Sequence, residues 1–384
     1  MKNGFPRYIV TIAALIAFVF GCSSAERVKD PLPGEEPVED DPSTYLEVEI
    51  EIPEGGEGAT ESISGISDRD CVGRLDPGDE RIIDLADWKV TKNGYRLSFQ
   101  RTGEEAPLVL GVIADIKEDT GENMFNIGRV MEWWRSEGVD AVVLPGDGGE
   151  TEEGLWRVFS TLAEPGWPVF VINGNREARE DYLGAMERAQ EEYENLFNIA
   201  QQRVVDLPGA TLVALPGYHD PRYLHAETGC RYYRWDVASL VPKAREAESP
   251  VVLVAHSGPR GATTRAIDYA RGAGNVGDPN INRLIESAGI PFGIFAHIHE
   301  AGGKATDMLG DDVLPQDELL ESFYLNVGPV DSLPWAMNDG TESLGMAGLV
   351  RFEGEKASYQ INRLRALTAE QSAKARELEP SRAE

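Results

Sequence analysis

Basic residues are scarce in this sequence. The chain has 36 lysines and arginines but 66 aspartates and glutamates, which gives a formal net charge of -30. A chain with this charge repels polyanions at long range, so the composition disfavours a nucleic-acid polymer as a general partner. The net charge does not exclude a positive pocket, because the field inside a cleft is set by the groups nearest to it.

Long apolar runs are also scarce, and the one that stands out lies at the N-terminus. Residues 8–20 follow Lys2 and Arg7 and precede Gly21 and Cys22. A short basic start, a short apolar core and a small residue before a cysteine are typical of an export signal. The segment resembles a bacterial lipoprotein signal, which implies that Cys22 becomes the lipidated first residue. The alternative is a transmembrane anchor, but the stretch is short for a bilayer and an anchor gives no reason for Gly-Cys.

The residues after this segment predict a tether to a membrane. Residues 23–45 combine prolines with acidic side chains, a composition that buries little and favours a solvated spacer. Ser23, directly after the cysteine, is compatible with sorting to the outer membrane of a Gram-negative cell. We therefore expect a lipid-anchored protein of the cell envelope, at the outer membrane in preference to the inner one, facing the periplasm or the surface.

Cysteine is the third scarce residue, with three in the chain. If Cys22 carries the lipid, Cys71 and Cys230 remain, and an oxidising compartment permits a disulfide between them. The sequence does not reveal whether their Cβ atoms approach each other. A bridge and two buried free thiols therefore both stay open.

The remaining composition favours a globular α/β body. Hydrophobic residues make up 41% of the chain, 40 residues are glycine, and no repeat of solenoid period occurs. Residues 46–105 form a predicted β-rich segment with a hairpin that turns at Asn93-Gly94. Residues 106–365 alternate apolar strand runs with amphipathic helices, one of them predicted over 178–200. Residues 366–384 form a predicted polar C-terminal tail.

Polar side chains with metal-binding or charged groups follow five of the predicted strands. In chain order these residues are Asp115 and Lys117, then Asp147, then Asn175 and Arg176, then His256, and finally His297 and His299. Three of the five histidines in the chain belong to this set. Each motif alone is weak evidence, whereas five consecutive strand ends with oxygen or imidazole donors are strong evidence for a metal site. Carboxylate, carboxamide and imidazole donors without thiolate suit Mn, Fe or Zn.

The ordered set resembles the calcineurin-like metallophosphoesterases, whose motifs run D-x-H, G-D, G-N-H-[DE], H and G-H-x-H. The resemblance covers roughly residues 106–365. It implies an α/β fold, a two-sheet β-sandwich with flanking helices, to which this chain adds an N-terminal β-rich segment. It also implies divalent metals at the edge of the sandwich and a phosphoester substrate of unknown identity.

The resemblance assigns a role to each matching residue. Asp147 would bridge two metals. One metal would be completed by Asn175, His256 and His297. The other would be held by Asp115 and His299.

Two departures from the motifs alter this expectation. Lys117 replaces the first histidine and cannot coordinate a metal while protonated, so one divalent ion is favoured over two. Arg176 replaces the histidine of G-N-H and stays protonated, so it cannot act as a general acid, although it can grip a phosphate. We hypothesise that the Lys117 ammonium lies between Asp115 and Asp147 in place of a metal, and that Arg176 holds the phosphoryl oxygens.

A non-catalytic relative is the alternative to a working hydrolase. In that case Lys117 and Arg176 would pair with Asp115 and Glu177 in an inactive site, and the lipoprotein would act as a surface binding protein. Four further residues are weaker candidates for the substrate mouth or for ordinary loop roles: His219, His225, Arg260 and Asn326.

Overall fold

The computed structural model describes residues 69–104 and 106–380. The predicted signal, the tether and residues 46–68 of the predicted β-rich segment lie outside the described residues. No helix in the described part of the chain is both long enough and apolar enough to cross a membrane. The residue ranges of the domains stay predictions.

The described chain contains two large sheets and two small hairpins. Its strands are β1 (Glu80–Asp84), β2 (Trp88–Asn93), β3 (Arg96–Arg101), β4 (Leu108–Val112), β5 (Ala141–Pro145), β6 (Val169–Ile172), β7 (Leu196–Asn198), β8 (Val204–Leu207), β9 (Ala210–Leu215), β10 (Val251–Ala255), β11 (Tyr269–Ala270), β12 (Gly274–Asn275), β13 (Phe292–Phe295), β14 (Lys304–Thr306), β15 (Phe323–Asn326), β16 (Trp335–Ala336), β17 (Glu342–Ser343), β18 (Met346–Glu353) and β19 (Lys356–Arg363). Its helices are α1 (Gly121–Glu137), α2 (Glu152–Ala163), α3 (Arg179–Glu192), α4 (Arg234–Ala238), α5 (Leu240–Arg245), α6 (Pro279–Ala288) and α7 (Ala369–Glu377).

The two large sheets differ in their strand order. The six-stranded sheet runs β19-β18-β4-β5-β6-β7, and its β4 to β7 are parallel. The nine-stranded sheet runs β1-β2-β3-β8-β9-β10-β13-β15-β14, with a parallel centre from β9 to β15. The strands β1 to β3 of the predicted N-terminal segment therefore extend the nine-stranded sheet.

The sheets pack face to face through one apolar core. Leu110, Val143 and Phe170 of the six-stranded sheet share this core with Val252 and Ile294 of the other sheet. Alternate residues on the same strands face outward, because successive side chains of a strand point to opposite sides. This architecture is the predicted two-sheet β-sandwich, and the fold class is confirmed.

Helices cover both outer faces of the sandwich. The helices α1, α2 and α3 pack on the six-stranded sheet, where Trp134 and Phe159 are fully buried. The helices α4 to α6 cover the nine-stranded sheet through residues such as Leu240 and Leu284. Because both faces of the central strands are buried, those strands are apolar throughout, as the parallel arrangement requires. The polar side chains are confined to the strand ends.

Two local predictions need correction. The hairpin between β2 and β3 turns at Gly94 and Tyr95, since Asn93 pairs with Arg96 inside the ladder. Only Gly94 has a positive φ, 54°, and a Cβ there would meet the Asp76 carbonyl oxygen at 2.3 Å. Asn93 stays in the strand, where its side chain accepts a hydrogen bond from the Gly78 N–H at 3.0 Å.

The helix predicted over 178–200 ends much earlier, at Glu192. Residues 196–198 form β7 instead, parallel to β6. Leu196 faces the helices and Phe197 faces the second sheet, which is the alternation of a strand. The Asn195 side chain supports the transition by donating to two carbonyl oxygens at 2.7 and 2.8 Å.

A disulfide joins Cys71 to Cys230, with their Cα atoms 5.2 Å apart. Both cysteines are buried, and they pack with Val72, Leu215 and Tyr232 on the outer side of the nine-stranded sheet. The bridge ties the start of the described chain to the loop after β9, across a separation of 159 residues.

Removal of this bridge tests its contribution to stability. The double variant Cys71→Ser/Cys230→Ser is expected to lose about 2–4 kcal/mol of unfolding free energy, because the unfolded chain regains the freedom of a long loop. Urea denaturation monitored by circular dichroism measures the change. Reduced wild-type protein is the matched control and should unfold at the same urea concentration as the variant; an unchanged midpoint for both would contradict the prediction.

Candidate metal centre

The carboxyl ends of five strands from both sheets meet at one edge of the sandwich. The strands β4, β5 and β6 are parallel neighbours in one sheet, and β10 and β13 are parallel neighbours in the other. Loops at the carboxyl ends of parallel strands share one edge, which is where α/β proteins bind ligands. All predicted ligands follow these strands, so the topology accounts for their meeting.

Asp147 connects three of the five loops. Its Oδ1 accepts hydrogen bonds from the backbone N–H groups of Asn175 at 3.0 Å and Arg176 at 3.1 Å. Its carbonyl oxygen accepts from the N–H groups of Ile116 at 2.9 Å and Lys117 at 3.1 Å. The loops after β4, β5 and β6 therefore have a common anchor in one buried residue.

Four donor atoms converge beside this anchor. His256 Nε2 lies 3.3 Å from Asp147 Oδ1 and 2.8 Å from Asn175 Oδ1. His297 Nδ1 lies 3.0 Å from the same Asn175 oxygen. The ligand atoms of Asp147, His256 and His297 all lie within 4.8 Å of one another. These four residues are the set predicted for one metal, and we call them the first half-site.

Hydrogen bonds to the backbone orient two of these ligands. His256 Nδ1 lies 2.9 Å from the Pro145 carbonyl oxygen, which can only accept, so Nδ1 carries the proton and Nε2 faces the centre. The Asn175 amide nitrogen donates to the Tyr223 carbonyl oxygen at 2.6 Å, which directs Oδ1 toward both histidines. When His256 is neutral, its Nε2 lone pair faces the oxygens of Asp147 and Asn175, an arrangement that suits a divalent cation.

The pKa shifts in this cluster favour an ionised Asp147 and a neutral His297, whereas the charge of Asp147 outweighs burial and raises the pKa of His256 to about 9. Burial alone would raise the pKa of Asp147, but the attraction of His256 outweighs burial and holds that pKa far below its usual range. Burial, followed by repulsion from His256, lowers the pKa of His297 well below its usual range. Burial and then the charge of Asp147 raise the pKa of Glu177 to about 8. Asp147 thus remains the charged oxygen ligand at neutral pH.

Two glycines permit the close approach of these loops. A Cβ at Gly146 would lie 2.7 Å from His256 Nδ1, and a Cβ at Gly174 would lie 2.2 Å from Asp147 Oδ1. Any larger residue at either position would displace a predicted ligand. The glycines of the G-D and G-N motifs therefore serve the geometry of the first half-site.

Backbone strain is concentrated at the same edge. Among the described residues, five other than glycine have positive φ, and four of them belong to the predicted site. These four are Asp115 at 52°, Lys117 at 65°, Asp147 at 56° and His297 at 72°. Left-handed backbone is costly for such residues and persists where the surroundings impose it, which is typical of functional sites.

Asp115 and His299 lie together beside the first half-site, and we call this pair the second half-site. His299 Nε2 lies 3.8 Å from Asp115 Oδ1. Asp115 Oδ2 accepts a hydrogen bond from the His297 N–H at 3.2 Å, but the buried Asp115 Oδ1 has no hydrogen-bond partner. A buried carboxylate oxygen without a partner is costly, and a nearby cation would satisfy it. The donor set therefore fits the divalent metals expected for this motif set.

The hypothesis that Lys117 lies between Asp115 and Asp147 needs correction. Its ammonium instead forms an ion pair with Asp331 Oδ2 at 3.0 Å and lies 4.0 Å from the centre of the Trp335 ring. No ion pair within 4.0 Å joins Lys117 to Asp115 or Asp147 in the described chain. Asp331 lies on the loop after β15 and is buried. Its negative charge attracts the ammonium.

The pairing of Arg176 with Glu177 is also wrong. The Arg176 guanidinium binds Glu150 Oε1 through Nε at 2.9 Å and through Nη2 at 2.8 Å. Glu177 points the other way, and its two carboxylate oxygens accept from the N–H groups of Gly148 and Gly174, both at 2.8 Å. Glu177 therefore clamps the two loops that carry Asp147 and Asn175.

The four weaker candidates contribute less. The His219 ring stacks near Tyr218 with 4.6 Å between ring centres, and Tyr218 in turn lies 4.5 Å from the His297 ring. The His225 N–H donates to the Asn175 carbonyl oxygen at 3.0 Å. The side chain of Asn326 donates to the carbonyl oxygens of Ile267 and Ile298 at 3.0 Å, and it accepts from the Gly328 N–H at 2.9 Å in the turn after β15. Arg260 is exposed and donates to the Gly277 carbonyl oxygen at 3.2 Å.

Sequence reasoning missed Glu150, Asp331 and Trp335. Glu150 follows β5 by a few residues, and Asp331 follows β15 in the same way, so both occupy strand-end loops. A search for polar residues after each predicted strand, extended by a few residues, would have found both carboxylates. Trp335 has no comparable signal in the sequence.

Comparison with known proteins agrees with this site. The family model of the calcineurin-like phosphoesterases matches residues 108–301, just over half of the chain. The chain therefore belongs to the calcineurin-like phosphoesterase family, and the predicted family is confirmed. No curated protein matches the chain.

Solved structures are similar in fold. One matches 68% of this chain and 100% of its own length, with 14% identity and a TM-score of 0.50. The protein TT1561 of Thermus thermophilus has the same coverages, 14% identity and a TM-score of 0.44. A dimetal phosphatase from Danio rerio also has these coverages, with 12% identity and a TM-score of 0.42. At such identities the likeness concerns the fold.

Family membership supports phosphoester hydrolysis in general and the use of divalent metals. The cluster of Asp147, His256 and His297 agrees with that use. The geometry does not identify which metal binds.

The metal-binding prediction is tested by the metal content of purified protein. The variant Asp147→Ala should lose the tightly bound divalent ion, because it removes the charged ligand and the anchor of three loops. Metal analysis after purification without chelator, and after incubation with Mn, Fe or Zn salts, measures the loss. Asp87→Ala changes an exposed carboxylate in the turn between β1 and β2 and should retain the metal. Equal metal content in both variants would contradict the assignment.

Proposed function

We propose that this protein hydrolyses a phosphoester with one tightly bound divalent ion, held by Asp147, Asn175, His256 and His297. The observation that carries the proposal is the contrast between the two half-sites. The first has four converging ligand atoms, whereas the second has Asp115 and His299, with a lysine at the sequence position of the motif's further histidine. A divalent ion at the first half-site would supply Lewis acidity toward a phosphoryl oxygen and lower the pKa of a bound water.

Arg176 is the residue of this chain best suited to grip the phosphoryl group. Its backbone N–H is fixed on Asp147, so its side chain starts from the rim of the first half-site. Glu150, its carboxylate partner, has a side chain that is 42% exposed, compared with 13% for Arg176. An exposed partner can move into water at small cost, so a phosphate could take its place with two parallel hydrogen bonds to the guanidinium.

The arginine also limits the chemistry. A guanidinium does not release its proton at physiological pH, so Arg176 cannot protonate a leaving group as the motif's histidine would. The proposed reaction therefore depends on leaving groups that depart without protonation. Substrate identity, and the choice between monoester and diester, stay open.

A non-catalytic surface binding protein is the second candidate. It is favoured by the neutralisation of both unusual cations, since Lys117 is paired with Asp331 and Arg176 with Glu150. The hypothesis that the Lys117 ammonium takes the place of a metal is weakened by its pair with Asp331. The proposal of hydrolysis rests instead on the complete first half-site and on the mobility expected of Glu150.

We further propose that the protein is exported and anchored through lipid on Cys22 to a membrane of the cell envelope, with the outer membrane preferred. This proposal rests on residues 1–24 of the sequence alone. The disulfide between Cys71 and Cys230 is compatible with it, because disulfides persist in oxidising compartments.

Leaving-group dependence tests the proposed hydrolysis. The metal-loaded protein is expected to hydrolyse p-nitrophenyl esters of phosphate faster than phenyl esters, because no general acid assists the poorer leaving group. Arg176→His restores an ionisable donor and should narrow that difference, which steady-state rates on the two esters measure.

Two variants complete this test. Asp147→Ala should lower the rate more than about 100-fold, since even groups that only support metal ligands are worth about 10- to 100-fold. Asp87→Ala should leave the rate unchanged. Absence of hydrolysis of both monoesters and diesters by metal-loaded wild-type protein would favour the binding protein.

Metal stoichiometry tests the single-ion proposal. Lys117→His supplies the imidazole that the motif expects and removes the ammonium, so it should raise the divalent metal content from about one toward about two per chain. Metal analysis after equilibration with MnCl₂ measures this, with Lys356→His at an exposed surface position as the control. Two ions per chain already in the wild type would refute the single-ion proposal.

A further inference from the structure

We propose that Asp331 and Trp335 are positioning residues that hold the Lys117 ammonium beside the second half-site. Both residues lie beyond the family match, which ends at residue 301. The inference deepens the proposed single-ion site and rests on it, because it names what holds the lysine that replaces the histidine of the D-x-H motif.

The Lys117 side chain is enclosed on two sides. It is 9% exposed, and its ion-pair partner Asp331 is 4% exposed. The Trp335 ring covers the ammonium at 4.0 Å. A cation with a carboxylate on one side and an indole face on another is held by direct attraction and by the quadrupole of the ring.

Trp335 links this cation to the second half-site. The same ring that covers Lys117 also contacts His299, with ring centres 4.4 Å apart at an interplanar angle of 66°. His299 is in turn 3.8 Å from Asp115. One indole therefore sets the position of the ammonium relative to a predicted metal ligand.

The loop that carries Asp331 is fixed to the body of the sandwich. The Val330 N–H donates to the Ala114 carbonyl oxygen at 3.0 Å, directly before Asp115. The Ser332 N–H donates to the side chain of Asn123 on α1 at 2.8 Å. Asp331 lies between these two bonds, so its carboxylate has little freedom to leave the ammonium.

Asp331 also organises its own loop. Its Oδ1 accepts from the Leu333 N–H at 3.1 Å, and its Oδ2 lies 3.4 Å from the Trp335 indole nitrogen. One carboxylate thus orients both the indole and the ammonium. Burial makes this pair unlike the Arg176–Glu150 pair, since loss of one partner would leave a buried charge uncompensated.

Chemical labelling of lysines tests the proposal on the full-length, metal-loaded protein. Reaction with an amine acylating reagent, followed by peptide mass spectrometry, gives the labelling rate of Lys117, with the exposed Lys356 as internal reference. Asp331→Asn and Trp335→Leu should each raise the Lys117 rate at least about tenfold, because the ammonium loses its carboxylate or its cover. The Lys356 rate should stay constant.

Conservative and control variants separate positioning from general loosening. Trp335→Phe retains an aromatic face and should keep Lys117 protected, whereas Trp335→Leu should not. Glu370→Gln breaks the exposed ion pair with Lys374 and should leave the Lys117 rate unchanged. Circular dichroism shows whether Asp331→Asn folds. If it does not fold, the two Trp335 variants decide the test.

Two results would overturn the inference. One is an unchanged Lys117 rate in folded Asp331→Asn and Trp335→Leu proteins. The other is equal Lys117 rates in Trp335→Phe and Trp335→Leu. Labelling needs neither substrate nor turnover, so these results can be told apart from a failure of the proposed hydrolysis, which only the rates on phosphoesters decide.

Discussion

The buried carboxylate of Asp147 is the interaction on which the site depends. The carboxylate accepts hydrogen bonds from the loop after β6 and faces His256 from the opposite sheet. The backbone carbonyl oxygen of the same residue accepts hydrogen bonds from the loop after β4. A buried charge requires such partners, because desolvation without compensation would neutralise or displace it. The loops therefore close around Asp147, and glycine is required at position 174, where a Cβ would meet Asp147 Oδ1.

The two unusual cations differ in the freedom of their partners. Lys117 is paired with a carboxylate in a fixed and buried loop, whereas Arg176 is paired with a half-exposed glutamate at the rim. The Lys117–Asp331 pair has the burial of an ion pair that maintains structure. The Arg176–Glu150 pair is more exposed, and we propose that a phosphate can replace its glutamate. Loss of the first pair would leave a buried charge uncompensated, whereas the exposed glutamate of the second pair can exchange its contact for water.

The sandwich explains why ligands so far apart in the chain assemble at all. Parallel strands in two packed sheets deliver their carboxyl ends to one edge, and apolar residues bury both faces of each strand. The polar residues that follow each strand therefore have no competing position in the core. Backbone strain at Asp115, Lys117, Asp147 and His297 is borne by this packing.

The sequence by itself determined the order of the ligands, because strand runs and the residues that follow them are local patterns. The family and the sandwich followed from the resemblance of that ordered set to known motifs. The sequence did not determine the register of the β2–β3 hairpin or the end of α3, since ladder pairing with distant strands decided both. It also could not reveal the partners of Lys117 and Arg176. An ammonium or guanidinium pairs with whichever carboxylate the fold brings within reach, and only the tertiary structure places Asp331 and Glu150 there.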